Sequence, residues 1–371
     1  MTRRLVLVGG GHAHVGVLQR LGERPLPGVE VTLVSPAARH HYSGMVPGYL
    51  HGAYAEDELA LDLAWLCRRA GVRLVEDTAR AVDGPGRAVL LGAGRLRFDA
   101  LALDVGSEPA GLEIPGVREH AVTVRPMARA VALRARVDAA AAAGGSVRVA
   151  VVGAGAAGFE VALALHRRIE RAGARPMITL VEAGDSVLPD YAPPVRRRAG
   201  AILGGRGIAV LTGRPVVRVD ADAVALAGDT TLPADVVVWL AGAAGPTLLR
   251  TGGLPVDARG FLRVDGTLRA VDGSPVWGAG DCASLADGPA VPKAGVYAVR
   301  QGPVLAANLR AAFGDGAPRR YAPQRSFLSL LATADGKALL RWRRVVRHSR
   351  WAWWLKDRID RRFVGAARPA P

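Results

Sequence analysis

The chain has 371 residues, half of them hydrophobic, with 46 glycines and 24 prolines, which is enough for two or three loop-rich α/β domains with buried cores. Its net charge of +16 is almost wholly arginine, a balance that suits an anionic membrane surface or nucleic acid equally; no nucleic-acid module accompanies it, so no nucleic-acid partner is expected. The only cysteines, Cys67 and Cys282, form neither a CxxC pair nor a metal-ligand spacing, which excludes a vicinal redox dithiol, argues for two structural thiols, with an internal Cys67–Cys282 pair as the alternative, and leaves no metal site.

In chain order, residues 3–9 form a β-branched run, Gly9 to Gly11 a tight turn, 12–22 a helix and 29–34 the next strand, a βαβ unit. Arg3 and Arg4 ahead of Leu5 mimic a secretory signal, but the apolar part is too short and runs into the glycine turn, so the expected location is cytoplasmic. No apolar stretch reaches the length of a membrane span. Leu59 to Ala70 has helical spacing, and strands are expected at 73–76, 88–91 and 100–105, the last running into Asp104-Val105-Gly106. A helix over about 126–143 ends in Gly144-Gly145, and a second βαβ unit follows: strand 147–152, helix 156–172, strand 177–182. Further strands are expected at 208–211, 216–219, 223–226 and 234–239, the last entering Ala241-Gly242. Strands at 261–264 and 275–278 and a helix at 294–312 complete the pattern. The expected fold class is α/β, with two Rossmann-like domains, the second inserted in the first, plus a C-terminal basic amphipathic segment. The divisions are 1–110 with 246–320, then 111–245, then 321–371.

Three glycine-rich segments carry the chemistry. In Val8-Gly9-Gly10-Gly11-His12-Ala13-His14, a strand, turn and helix offer free N–H groups and a positive helix end to a pyrophosphate. Gly9 permits the turn and Gly11 the close approach, while His14 stands where a third glycine is usual and Ser35 where an acid usually ends the second strand. In Val152-Gly153-Ala154-Gly155-Ala156-Ala157-Gly158, the full GxGxxG pattern is present and Glu182 ends the following strand. A carboxylate there accepts from ribose hydroxyls and repels a 2′-phosphate, so NADH is expected over NADPH. The third segment, Gly278-Ala279-Gly280-Asp281, is expected to lead into a helix. It places Asp281 to accept from a flavin's ribityl hydroxyls, or to cap that helix. Gly106 and Gly242, each just past a strand, complete the expected cofactor-binding positions. Glu160, on the first turn of its helix, stabilises the dipole or shapes a nicotinamide pocket.

Four segments add to this: Gly9 to Val15, Tyr42-Ser43-Gly44-Met45-Val46-Pro47-Gly48, Pro292-Lys293-Ala294-Gly295-Val296-Tyr297-Ala298-Val299-Arg300-Gln301-Gly302-Pro303 and Trp354 to Phe363. With them the chain resembles the two-dinucleotide-binding flavoproteins, in the branch of type II NADH dehydrogenases and sulfide:quinone oxidoreductases. More narrowly it is similar to the flavoprotein region found N-terminal to selenide, water dikinase. The resemblance implies non-covalent FAD, hydride from NADH to flavin N5, a quinone-like acceptor and attachment to the inner face of the cell membrane. Alternatives are a flavoenzyme of selenium or sulfur metabolism with a soluble acceptor, and a non-catalytic flavin sensor. Sulfide:quinone enzymes need redox cysteines near the flavin; this chain has Cys282 in the third glycine-rich segment and Cys67 elsewhere, so sulfide oxidation by that route is not expected. The resemblance also implies that Lys293 lies by the flavin ring, where a cation stabilises reduced flavin. Tyr297 and Gln301, on the same helical face as Lys293, would line a quinone site or simply pack. His12, His14, Ser35, Tyr42 and Pro47 join the expected flavin-side positions, and His40 and His41 share that loop.

From Pro318 onward 14 Lys/Arg stand against three Asp, and four of the seven tryptophans fall between Trp342 and Trp354. On a helix, Trp351, Leu355, Ile359 and Phe363 form a stripe with Trp354 beside it, and Arg350, Lys356, Arg358, Arg361 and Arg362 spread around the rest. That pattern predicts a helix lying in the headgroup layer, through residues 341–363. A helix packed on its own protein or on the partner of a homodimer is the alternative.

Overall fold

The computed structural model describes residues 2–287, 290–324 and 326–369. Strand β1 (Arg3–Val8) leads into α1 (His12–Glu23) and β2 (Val29–Ser35). Next come α2 (Val46–His51), α3 (Leu63–Ala70), β3 (Arg73–Glu76) and β4 (Ala100–Leu103). The middle of the chain holds β5 (Ala121–Val122), α4 (Met127–Ala142), β6 (Ser146–Val152) and α5 (Ala156–Arg171). It continues with β7 (Arg175–Val181), α6 (Pro193–Gly204), β8 (Ala209–Leu211) and β9 (Val236–Trp239). Strand β10 (Val276–Gly278) and α7 (Gly295–Ala312) precede the C-terminal β11 (Ser329–Ala332), β12 (Ala338–Trp342), β13 (Val345–Ser349) and α8 (Arg350–Gly365).

Two parallel five-stranded sheets form the frame, in the orders β10-β4-β1-β2-β3 and β5-β9-β6-β7-β8. Their central strands are apolar without alternation, as in the four fully buried residues of β4 and of β9, because both faces of a parallel sheet are covered. In each sheet the chain runs outward from the central strand on one side and later returns on the other. That reversal opens a crevice at the carboxyl ends of β1 and β4, and another at those of β6 and β9. Helix α1 crosses α7 at Gly16 and Gly302, where a Cβ on Gly302 would lie 3.0 Å from the Ala13 carbonyl oxygen. This close approach sets the opening of α7 beside the first crevice.

Two local expectations are corrected. The helix foreseen from Leu59 begins only at Leu63: Asp62 accepts from the Trp65 N–H at 2.8 Å and caps it, and Ala60–Asp62 pairs instead with Arg39–His41. The Gly-Ala-Gly-Asp segment does not enter a helix. It forms a 3-10 turn at Gly280–Cys282, and Ala283–Leu285 then pairs in parallel with Leu262–Val264. In the C-terminal segment β11, β12 and β13 form an antiparallel sheet, and the Ser349 hydroxyl caps α8 by accepting from the Ala352 N–H at 3.2 Å.

Candidate active site

The first crevice gathers residues from across the chain. Gly9 adopts a φ of +95°, and its N–H donates to the Val34 carbonyl at 2.9 Å. His14 fills the place of the usual third glycine: burial pushes its imidazole down to about 4, so its neutral Nδ1–H donates to the Gly9 carbonyl at 2.7 Å. The Asp104 carboxylate reaches the opening of α1, where Oδ2 accepts from the N–H groups of Ala13 at 2.7 Å and His14 at 3.0 Å. Ser35 donates to the Ala37 carbonyl, and β2–β3 pairing sets Glu76 across from it, with its carboxylate accepting from the Ala38 N–H at 3.1 Å. The acid missing from the end of β2 thus arrives from the neighbouring strand. Gly106 has a φ of +72° and open space where a side chain would be.

Asp281 faces Arg125 at 3.7 Å, and burial raises its carboxyl against the opposing charges of Arg125 and Lys293. Gln301 accepts from the Gly280 N–H at 2.7 Å and so holds that turn. Lys293 donates to the Ala283 carbonyl and sits 3.9 Å over the Phe261 ring. Tyr297 is buried edge-on against Phe327 at 5.5 Å. Asp281, Lys293, Tyr297 and Gln301 line one small recess, so the structure brings these expected site residues together.

At the second crevice Gly153 has a φ of +101° and its N–H donates to the Val181 carbonyl at 2.8 Å. Glu182 is held in place: Oε2 accepts from the Ala154 N–H at 2.7 Å and Oε1 from the Gly184 N–H at 2.9 Å. No side chain caps α5, and the space beside Gly155 is open. Gly242, with a φ of +46°, turns away at the end of β9.

Helix α8 closes over the loop that follows β2, and here the expected membrane stripe is corrected. Phe363 stacks on His12 at 5.2 Å and packs at a tilt against Tyr42 at 4.9 Å. Lys356 is buried, donating to the Gly44 carbonyl at 2.9 Å and to Asp360 at 2.7 Å; Tyr42 donates to Asp360 at 3.2 Å. Neither Phe363 nor Lys356 can face a lipid surface, because the loop between β2 and α2 covers that side of the helix. Glu160, from the first turn of α5, turns toward this C-terminal segment and accepts from the Ala332 N–H at 2.7 Å. Burial pushes its carboxyl up to about 7, against the Lys356 charge and that N–H. His12 and His40 are neutral, pushed by burial down to about 3 and about 4. Pro47 is the second residue of α2 and buried.

The donors fit two dinucleotides: each crevice ends in a left-handed glycine followed by a helix opening. The thiols fit no disulfide chemistry, since Cys67 and Cys282 are both buried and their pKa is pushed up to about 12. No group of three or more metal-ligating side chains occurs among the described residues. The family model for pyridine nucleotide-disulphide oxidoreductases matches residues 3–302. The chain belongs to that family. It is therefore an oxidoreductase that binds a flavin and a pyridine nucleotide. It is 27% identical over 352 residues to a demethylphylloquinone reductase of Synechocystis, covering 91% of this chain and 86% of that one. It is 30% identical over 301 residues to an NADH dehydrogenase-like protein of Mycobacterium tuberculosis, covering 76% and 73%. Its fold matches that of NDH2 from Plasmodium falciparum, solved with NADH, at a TM-score of 0.85 and 14% identity over 99% of this chain and 97% of that one.

Sequence reasoning missed Arg125, Glu76 and the carboxylate of Asp104. Each enters the site through strand pairing or a loop remote in sequence, and none carries a local motif.

Proposed function

We propose that this chain is an FAD-dependent NADH:quinone oxidoreductase working at a membrane surface. Residues 1–110 and 246–320 hold the flavin, 111–245 the nicotinamide dinucleotide, and 321–371 cover the acceptor side. The observation that carries the reading is the pair of parallel sheets whose glycine turns sit at their carboxyl edges, the second with Glu182 fixed in place. The curated relatives named as quinone and NADH oxidoreductases support it. When bound, the flavin supplies hydride acceptance and electron storage.

The chain's own residues orient and tune. Asp281 accepts from ribityl hydroxyls, Lys293 supplies positive charge near the ring, and Tyr297 and Gln301 shape the recess for the acceptor. Glu160, with a carboxyl near neutrality, holds a proton close to the acceptor side. Anaerobic addition of NADH to the yellow protein should bleach its absorbance, and a pulse of soluble quinone should restore it. Absence of bleaching would remove the dehydrogenase reading; bleaching without recovery would remove the quinone.

Glu182 favours NADH by accepting from ribose hydroxyls and repelling a 2′-phosphate. In Glu182→Ala the ratio of kcat/KM for NADH over NADPH should fall about tenfold or more, since a lost charge-assisted hydrogen bond costs about 1.5–3 kcal/mol. An unchanged ratio would place the preference elsewhere.

For the membrane surface, the support is a set of exposed apolar side chains on the C-terminal hairpin and helix. Trp342, Val345, Trp351, Trp354 and Ile359 are 41–60% exposed, with Arg343 over the Trp342 ring and Arg358 over the Trp354 ring. No helix among the described residues is long and apolar enough to cross a membrane. Tryptophan and arginine together suit the headgroup layer. Wild-type protein should sediment with anionic vesicles at low salt, and the Trp351→Ala/Trp354→Ala variant should stay in the supernatant. Equal sedimentation of the two would move the contact elsewhere.

A further inference from the structure

Asp104 is 3% exposed and sits at the centre of the first crevice. Two glycines from separate motifs wrap it: a Cβ on Gly11 or on Gly280 would collide with its carboxyl group. Oδ2 takes the N–H groups of Ala13 and His14, while Oδ1 makes no hydrogen bond among the described residues. The opening of α1 is where the glycine turn directs a diphosphate. A carboxylate and a diphosphate cannot share that buried, low-dielectric end as anions without strong repulsion, and the least costly relief is a proton on the carboxyl group.

We propose that Asp104 holds the flavin dinucleotide's diphosphate as a neutral carboxylic acid, its Oδ1–H donating to a phosphate oxygen, so that cofactor binding takes up one proton. This rests on the reading that the first crevice binds FAD.

The surroundings support the assignment. Burial pushes the Asp104 carboxyl up to about 7, against the two N–H donors. The other groups facing this region leave it as the one poised near neutrality. His12, His14 and His40 are neutral, pushed down to about 3 and about 4. The Cys282 thiol is pushed up to about 12, and the Arg125 guanidinium lies 3.7 Å from Asp281. Asp281 is raised by burial and Lys293 lowered by it, and these are the two remaining candidates for a pH response.

Because the bound form carries the extra proton, affinity is full below the free-protein pKa near 7 and weakens as pH rises through it, by up to about tenfold per unit. The test strips the full-length protein of FAD and measures the Kd for FAD by flavin fluorescence from pH 6 to 9. Calorimetry in buffers of different ionisation enthalpy counts the protons. The wild type should lose roughly 30-fold or more in affinity between pH 7 and 9 and take up close to one proton per FAD at pH 8. Asp104→Asn, whose amide donates at every pH, should bind with a flat profile near the wild-type affinity at pH 6. Tight binding with a flat wild-type profile and no proton uptake overturns the inference while leaving the flavin reading intact. A slope that persists in Asp104→Asn also overturns it and moves the proton to Asp281 or Lys293. No FAD binding at any pH overturns both. The proton count on the wild type stands even if the variant fails to fold.

Discussion

Lys356→Met is expected to destabilise the protein by about 3–5 kcal/mol, the cost of removing one partner from a buried ion pair. Lys356 is only 7% exposed and Asp360 4%. The ammonium bridges Asp360 and the Gly44 carbonyl, and its charge acts on the Glu160 carboxyl. Burial opposes its charge, but Asp360 and Glu160 outweigh burial and hold its pKa above the ordinary value. Without it, two carboxyl groups face each other across a dry interface. The loss should also grow with pH. Glu160 is raised to about 7 in the folded chain and stays near an ordinary carboxylate value when unfolded, so the folded state binds more protons and is favoured as pH falls from above 7 toward 5. Removing Lys356 raises Glu160 further and steepens that dependence. Urea unfolding at pH 6 and pH 8 measures both effects. Lys356→Arg, which keeps the charge, should recover most of the stability. A Lys356→Met variant as stable as wild type at pH 8 would show that solvent reaches the cluster.

Gly158→Ala is expected to lower kcat/KM for NADH about 100-fold while leaving the bound-flavin absorbance in place. A Cβ at Gly158 would overlap the Gly153 carbonyl oxygen, a backbone atom that no rotamer change can move. The first turn of α5 must then shift off β6. Gly153 is itself tied down, because its N–H donates to the Val181 carbonyl at 2.8 Å and its backbone lies close against that of Leu240 and Ala241. A displacement of about 1 Å at the site that positions the hydride donor costs on the order of 100-fold in rate. The flavin crevice belongs to the other sheet, so its spectrum should persist. Steady-state kinetics with NADH and the absorbance of the purified variant decide the matter. Normal NADH kinetics would mean that α5 does not place the dinucleotide.

Much of this protein is legible residue by residue. Both glycine turns, the strands feeding them and the helices leaving them follow from local patterns, because a left-handed turn needs glycine and a buried parallel strand needs an unbroken apolar run. Glu182 is legible for the same reason: it follows its strand directly, and the strand register delivers it to the Ala154 N–H. The order of the two units along the chain also suffices for two sheets, the second built from residues lying between parts of the first.

Other features depend on separations that no local pattern encodes. Glu76 supplies the acid beside Ser35 only because β3 pairs with β2 in that register. Arg125 meets Asp281 from a loop 156 residues away in the chain. The tail is the clearest case. Its sequence determines an amphipathic helix of tryptophan and arginine, but a helix has several faces, and only packing decides which of them meets solvent. The loop after β2 takes Lys356, Asp360 and Phe363 inward and leaves Trp351, Trp354 and Ile359 outside. Sequence alone therefore determined the two dinucleotide turns, whose requirements are steric and local. Tertiary structure decided which charges are buried beside them, because desolvation and ion pairing depend on what the rest of the chain brings into contact.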